Sequence, residues 1–243
     1  DYDLMLRLTE KAKKIKHIPQ VLYFWRMHAN STADLEATDV KNYAFDAQRK
    51  ALEAAFKRRG LNVEVEPDDQ WKGVFHPRYK VKGTPKVSVI IPAHNQAEVT
   101  KLCLTTLFEG TSYPDFDVLL LSNNSTDAEF FKVLDTFQAK YPGRFRWIEQ
   151  NYPFNYSKLM NAGFREVDGE LICHLNNDVE IIKPDWMQRM VEQAMRPEIG
   201  AVGAKLLYPN RLVQHAGVII GLHGCAGHTF VAAKEEWGGP YFQ

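Results

Sequence analysis

Short apolar runs alternate with amphipathic segments from Lys86 onward. The apolar runs end at turn residues, and the segments between them repeat apolar side chains at the spacing of a helix. This alternation predicts a mostly parallel sheet with helices on both faces. The predicted strands are 87–92, 117–121, 145–149, 170–175, 202–207 and 213–220. Two helices are predicted at 98–109 and 157–167. A third is predicted to open with a capping box at 126–129 and to run to residue 141, and a fourth to begin at Pro184.

The N-terminal part of the chain follows a different pattern. Residues 1–37 begin with a short helical pattern, and a strand-like run follows at 18–25. A helix is predicted over 38–59, and Gly60 directly follows its basic last turn. Residues 61–85 are polar and contain three prolines, so this segment is predicted to be a linker.

Composition narrows the class of protein. The 30 Lys and Arg residues balance 30 Asp and Glu residues, so no net field favours nucleic acid or anionic lipid. The three cysteines (Cys103, Cys173 and Cys225) form no CxxC motif, as is typical of reduced thiols in a cytoplasm. Because no apolar run reaches 18 residues, no transmembrane segment is expected. We expect a cytoplasmic protein, and peripheral association of a longer parent protein with the inner face of the membrane stays open.

Three polar clusters follow predicted strands, at 92–95, 122–127 and 176–178. In an open parallel sheet, ligands bind beyond the carboxyl ends of the strands, so these clusters are expected to share one edge. Amide side chains can hydrogen-bond a base or a ribose, and a carboxylate can hold a divalent cation that offsets charge on a leaving diphosphate. No glycine-rich phosphate loop is present.

Several of these segments, in this order, resemble family 2 glycosyltransferases, which have the GT-A fold. The segments that carry the resemblance are Val87–Asn95, Asn123–Asp127, Asn155–Gly163 and Leu175–Asp178, the last at the position of the family's DxD motif. Two later segments, Gln214–Gly217 and Gly224–His228, resemble a subgroup of surface-polysaccharide assembly. The resemblance covers about residues 86–243 and implies an α/β, Rossmann-like sheet that is truncated here, with a helical N-terminal arm.

The resemblance also implies roles for individual residues. Asp178 is expected to bind Mg²⁺ or Mn²⁺ and is the predicted catalytic residue. The residues expected to contact the nucleotide sugar are Pro92, Ala93, His94, Asn95, Asn123, Lys158, Asn161 and Asn177. Two positions depart from the family pattern: Ser122 replaces an acid that holds the base, and Asn176 replaces the first acid of the DxD motif.

A second resemblance concerns the N-terminus. Asp1–Arg7 and Trp25–His28 look like the closing part of the same kind of domain, where Asp1 matches the second acid of the general-base pair. This implies tandem domains: 1–37 as the tail of a preceding glycosyltransferase domain, 38–85 as a helix and linker, and 86–243 as the donor-binding half of the next. We therefore expect a segment of a longer protein that by itself binds nucleotide weakly and transfers little sugar. A less favoured hypothesis has Asp1 or Asp3 fold back as the base.

The predicted reaction is an inverting transfer of a sugar from a nucleoside-diphosphate donor to a glycan or lipid-linked glycan acceptor. A non-catalytic nucleotide-binding or scaffolding module is the alternative, and Ser122 and Asn176 favour it. An NAD-dependent oxidoreductase is disfavoured because the glycine fingerprint is missing.

Structural roles also stay open for the candidate residues. Asp178 could cap a loop, Asn123 could be a turn former, and Lys158 could be a solvated helix residue. Histidines such as His94 and His215 are more often packing or capping residues than ligand contacts.

Overall fold

The computed structural model describes residues 1–24 and 42–236 of the chain. Two compact units are present, with the boundary between Lys80 and Val81. Trp25 and the predicted helix start at residue 38 lie outside the described residues. None of the described helices is both long and apolar enough to cross a membrane.

The first unit contains two helices, α1 (Tyr2–Lys11) and α2 (Asn42–Arg58). The guanidinium of Arg58 donates two hydrogen bonds, each 2.9 Å long, to the carboxylate of Glu10, which ties α2 to α1. The predicted strand at 18–25 is wrong over its described part, because residues 18–24 are exposed and pair with no described strand.

A β-hairpin replaces the linker predicted at 61–85. Strands β1 (Val63–Pro67) and β2 (Phe75–Tyr79) are antiparallel. One face packs on α2, where the rings of Phe56 and Tyr79 meet edge to face at a centroid distance of 6.1 Å. The prolines obscured this hairpin in the sequence, although prolines are tolerated in edge strands and at strand ends.

The second unit is built on a four-stranded parallel sheet. Its strands are β3 (Val87–Ala93), β4 (Phe116–Ser122), β5 (Phe145–Glu149) and β6 (Leu171–His174), in the spatial order β5-β4-β3-β6. All neighbouring pairs are parallel, so the carboxyl ends of the four strands meet at one edge. The predicted α/β class with a parallel sheet is confirmed, and the arrangement fits the Rossmann-like GT-A fold that the resemblance implied.

Helices cover both faces of this sheet because side chains along each strand alternate between its two faces. The helices are α3 (Ala97–Gly110), α4 (Ala128–Lys140), α5 (Tyr156–Phe164) and α6 (Trp186–Ala194). In β3, Val89 and Ile91 join the larger core with α3, α4 and α6. Ile90 points to the other face and packs with Leu159 of α5 in the smaller core.

Short hairpins follow the sheet. Strand β7 (Leu206–Leu207) pairs with β8 (Val213–His215), and β9 (Val218–Ile220) pairs with β10 (Ala226–His228). The strand predicted over 213–220 is therefore two strands, which are separated at Gly217, where φ is +120°.

Two predicted helix starts shift by one or two residues. The cap of α4 is the Asp127 side chain, which accepts a hydrogen bond from the Glu129 amide, rather than Thr126. Helix α6 begins at Trp186, with Asp185 as its cap, rather than at Pro184.

Replacing Gly169 with Ala tests the close approach of the turn before β6 to β3. A Cβ at this position would lie 2.6 Å from both the backbone nitrogen and the hydroxyl oxygen of Ser88. Since the strand backbone cannot move aside, we expect the free energy of unfolding to fall by about 1–3 kcal/mol in urea titrations. Gly200→Ala is the control, because its Cβ would meet nothing within 4 Å. Equal stability of the two variants would contradict this packing.

Candidate functional site

A cavity of about 360 Å³ lies at the carboxyl edge of the parallel sheet. Its lining includes residues from all three polar clusters that follow β3, β4 and β6, which confirms that these clusters share one edge. The lining residues are Pro92, Ala93, His94, Gln96, Val99, Asn123, Phe154, Tyr156, Leu159, Asn176, Asn177 and Asp178.

The loop after β3 is held by the side chain of Asn95. Its amide oxygen accepts hydrogen bonds from the backbone amides of Thr126 (2.8 Å) and Asp127 (2.9 Å). Asn95 and Gln96 both have left-handed backbone conformations, with φ of 54° and 67°. Asn95 therefore joins the loop after β3 to the loop after β4, and it is not among the residues that line the cavity.

The Asn123 side chain connects the end of β4 to the segment that follows β5. Its amide nitrogen donates to the backbone carbonyls of Gln150 (2.5 Å) and Tyr152 (3.0 Å), and the residue is 5% exposed. A side-chain amide has two N–H donors, so both are committed to the protein backbone. Asn123 lines the cavity, but only its carbonyl oxygen is left for a ligand.

In its neutral form, the His94 ring is held in one tautomer. Its Nδ1 lies 2.8 Å from the backbone carbonyl oxygen of Asn123. Because a carbonyl oxygen can only accept, Nδ1 must donate, and Nε2 of the neutral ring is left as an acceptor. The Nδ2 atom of Asn95 lies 3.4 Å from that Nε2, as a weak donor toward it would.

Helix α3 anchors the Asn176–Asp178 loop. The side-chain amide nitrogen of Asn177 donates to the fully buried Thr100 hydroxyl at 3.0 Å. The Cys103 thiol donates to the backbone carbonyl of Asn176 at 3.5 Å. These contacts fix the residues before Asp178, whose carboxylate is exposed at the cavity.

The cavity-lining residues suit a divalent cation only if the substrate supplies further ligands. Within residues 1–24 and 42–236, no three His, Cys, Asp or Glu side chains come together as a metal site. Asp178 is the one carboxylate among the cavity-lining residues. Mg²⁺ is commonly held by one or two carboxylates, with waters and substrate phosphates completing its shell, so this donor set suits a cation that arrives with a diphosphate.

Three other residues singled out in the sequence lie beside the cavity lining rather than in it. The Nζ of Lys158 sits 4.0 Å from the ring centroid of Tyr152. Asn161 is exposed on α5. The Ser122 hydroxyl is buried and has no hydrogen-bond partner among the described residues. Nucleotide contact by Lys158 and Asn161 stays a prediction.

The sequence analysis missed several lining residues, of which two are large exposed aromatics. Phe154 and Tyr156 flank Asn155, the cap of α5, whose side chain accepts a hydrogen bond from the Lys158 amide. The signal was available, since Phe154 directly precedes the motif that begins at Asn155.

The two histidine motifs in the C-terminal hairpins also meet. The Nδ1 atoms of His215 and His228 are 2.8 Å apart. Neither histidine lines the cavity described above.

Residues 88–215 match the model of Glycosyl transferase family 2. The chain belongs to this family. This match confirms the family expected from the sequence, and residues of the four segments 87–95, 123–127, 155–163 and 175–178 line the cavity.

Two long relatives match almost the whole chain. The O-antigen biosynthesis protein RfbC of Myxococcus xanthus is 40% identical over 96% of the chain. The uncharacterized protein y4gI of Sinorhizobium fredii is 37% identical over 100% of it. The present chain spans only 18% of the length of RfbC and 26% of the length of y4gI.

A solved structure of the mannosyltransferase PcManGT from Pyrobaculum calidifontis, in complex with GDP-Man and Mn²⁺, is also similar. It covers 69% of this chain and 47% of its own, with 20% identity and a TM-score of 0.48.

Replacing Asn123 with Asp tests the link between β4 and the segment after β5. The change removes both donated hydrogen bonds and sets a carboxylate against two carbonyl oxygens, so we expect a loss of about 2–4 kcal/mol in unfolding free energy at pH 7. Repulsion would raise the folded-state pKa of the new carboxyl above its unfolded value of about 3.9. The difference in unfolding free energy between wild type and Asn123→Asp should therefore grow as pH rises through that value and shrink below it.

Asn210→Asp is the matched control. The Asn210 side-chain oxygen accepts a hydrogen bond from the Leu212 amide at 3.1 Å, and a carboxylate can accept the same bond. We expect its unfolding free energy to stay within about 0.5 kcal/mol of wild type. A similar loss in both variants would mean that the Asn123 amide does not hold this edge.

Cysteine alkylation tests the burial of the anchor on α3. Burial raises the pKa of the Cys103 thiol to about 12 and that of Cys173 to about 11, whereas Cys225 is exposed. Because the thiolate is the reactive form, iodoacetamide at pH 8 should modify Cys225 alone in the folded chain and all three cysteines in denaturant. Mass spectrometry reads both results, and rapid labelling of Cys103 in the folded chain would contradict the structure.

Proposed function

We propose that this domain transfers a sugar from a nucleoside-diphosphate donor to a glycan acceptor, with Asp178 as its metal-binding carboxylate. The observation that carries the proposal is the cavity at the carboxyl edge of the sheet, where the Asn176–Asp178 loop faces the loops after β3 and β4. Membership of glycosyl transferase family 2 supports the reaction class.

The donor side of the proposed reaction is assigned to the described residues. Asp178, together with waters and the donor's phosphates, would hold Mg²⁺ or Mn²⁺, and the cation would offset the charge on the leaving diphosphate. Pro92, Ala93 and His94 would border the nucleoside. The Asn123 carbonyl oxygen and the His94 Nε2 atom are acceptors, so they suit N–H or O–H groups of a base or ribose.

The acceptor side requires a second carboxylate. In an inverting transfer the acceptor hydroxyl attacks the anomeric carbon in line, and a general base takes its proton. Asp178 is the only carboxylate among the residues that line the described cavity, and it is assigned to the cation. We therefore propose that the base comes from outside this lining set.

The acceptor class follows from the relatives and remains a proposal. RfbC is named for O-antigen biosynthesis, so a growing surface glycan, free or lipid-linked, is the acceptor that we propose. The length of the relatives leaves room for further domains, in keeping with residues 1–37 as the tail of a preceding glycosyltransferase domain and 86–243 as the donor half of the next. The three free thiols suit a reducing cytoplasm, and the inner membrane face is where a lipid-linked acceptor would be met.

A non-catalytic nucleotide-binding module is the second candidate. Asn176 occupies the place of the first acid of the family motif, and the described residues supply no cluster of three metal-binding side chains. This candidate predicts nucleotide binding without any dependence on a divalent cation.

Calorimetric titration of the 243-residue chain with UDP, dTDP and GDP separates the two candidates. We expect Mn²⁺ to strengthen binding of at least one of these nucleotides by roughly 10-fold or more, and Asp178→Asn to remove most of that gain because an amide is a neutral and weaker ligand. Asp115→Asn is the control, since Asp115 precedes β4 at the opposite edge of the sheet.

The outcomes are distinct. Mn²⁺-independent binding in the wild type would favour the non-catalytic module. A gain from Mn²⁺ that persists in Asp178→Asn would refute the assignment of the cation to this carboxylate.

A further inference from the structure

The segment between β5 and α5 presents two aromatic side chains to the cavity. Phe154 is 70% exposed and Tyr156 is 45% exposed, and both line it. Single exposed aromatic residues are common on protein surfaces. Two of them on one short segment that lines a cavity are the arrangement expected of a ligand-binding surface.

This segment is held in place before any ligand arrives. The side-chain amides of Asn123 and Asn124 both donate to the Tyr152 carbonyl, at 3.0 Å and 2.7 Å. The Asn155 side chain caps α5 between the two aromatic residues by accepting from the Lys158 amide at 2.9 Å. A fixed backbone lowers the entropy cost of ordering these rings against a ligand.

The aromatic residues and the carboxylate lie at opposite ends of the site. Tyr156 is the first residue of α5, which packs on β3 and β4, whereas Asp178 follows β6, which pairs with the other side of β3. With neighbouring strands about 4.8 Å apart, the one to two steps from β6 to β3 and β4 correspond to about 5–10 Å along the edge. A ligand that reaches both therefore has a group that suits a carboxylate-bound cation at one end and a planar, apolar group at the other.

We propose that Phe154 and Tyr156 form an aromatic wall that packs against the base of the donor nucleotide. The inference rests on the proposed function, because it takes a nucleoside diphosphate as the ligand. The diphosphate lies toward Asp178, and the base lies toward the aromatic wall. Such contact tolerates any base, since every base has a π face. The wall therefore adds affinity, while the acceptor atoms of His94 and Asn123 are left to discriminate between bases.

The test compares ligands with and without a base. Phe154→Leu and Tyr156→Leu keep an apolar side chain but remove the ring, and each should weaken binding of UDP, GDP and dTDP in the presence of Mn²⁺ by about 10-fold. Inorganic pyrophosphate, which has no base, should bind wild type and variants alike. Tyr156→Phe keeps the ring and should bind nucleotide within about twofold of wild type.

Phe164→Leu is the matched control for a nonspecific effect of removing an exposed ring. Phe164 is 60% exposed at the end of α5 and is not among the cavity-lining residues. Circular dichroism of each variant checks that it remains folded. Nucleotide binding by Phe164→Leu should equal that of wild type.

Each contrary result has a separate meaning. If wild type binds the nucleotides and the two leucine variants bind them equally well, the aromatic wall is refuted and the proposed function stands. The same holds if the leucine variants lose pyrophosphate and nucleotide in equal measure, because the rings would then act on the whole cavity. If wild type binds none of the three nucleotides with Mn²⁺, both the aromatic wall and the proposed function fail.

Discussion

Two hydrogen bonds from the Asn123 amide set the geometry of the cavity. Asn123 follows β4, and its donors hold the carbonyls of Gln150 and Tyr152 beyond β5. Its own backbone carbonyl orients His94, and its backbone amide donates to Ala93 at 2.9 Å. One buried residue thus joins the ends of three adjacent strands, and the sheet edge behaves as a single surface rather than as independent loops. An unsatisfied amide or carbonyl here would cost about 1–3 kcal/mol each, so alternative loop arrangements are disfavoured.

The same bonds divide the cavity into regions with different chemistry. Both amide donors of Asn123 are bonded to the backbone, so this residue offers a ligand an acceptor, whereas Gln96 and Asn176 also bring side-chain amides to the lining. Acceptors on Asn123 and His94 repel phosphate oxygens, which directs an anionic group away from the centre of the edge. The Asp178 end is the part of the lining where a cation can compensate that anionic charge.

Sequence patterns predicted the parts of this molecule that depend on local chemistry. Apolar runs that end in polar clusters placed β3, β4 and β6, and parallel pairing then required those clusters to meet. The pattern failed where a residue's role depends on its neighbours in space. Asn95 and Asn123 were predicted to contact the nucleotide sugar, and that contact stays a prediction. Their side chains also hold neighbouring loops, and only the tertiary structure shows which partner satisfies an amide. The prolines made the segment that forms β1 and β2 resemble a linker. They are tolerated there because a proline lacks only an N–H that an edge strand does not need.

A single carboxylate can serve as a metal ligand only if its position is fixed. Each exposed side chain that must be ordered on binding costs about 0.5–1.5 kcal/mol, and a cation with one protein ligand has little chelate effect to offset that cost. In this chain the order is supplied in advance from α3. The fully buried Thr100 hydroxyl accepts a hydrogen bond from the Asn177 side-chain amide, and the Cys103 thiol donates one to the Asn176 backbone carbonyl. The two residues before Asp178 are therefore fixed to a helix in the core. The loss of the first acid at Asn176 is thereby compatible with cation binding. Asn176, which departs from the family pattern, contributes through its backbone carbonyl. Asp178, which keeps the pattern, carries the charge.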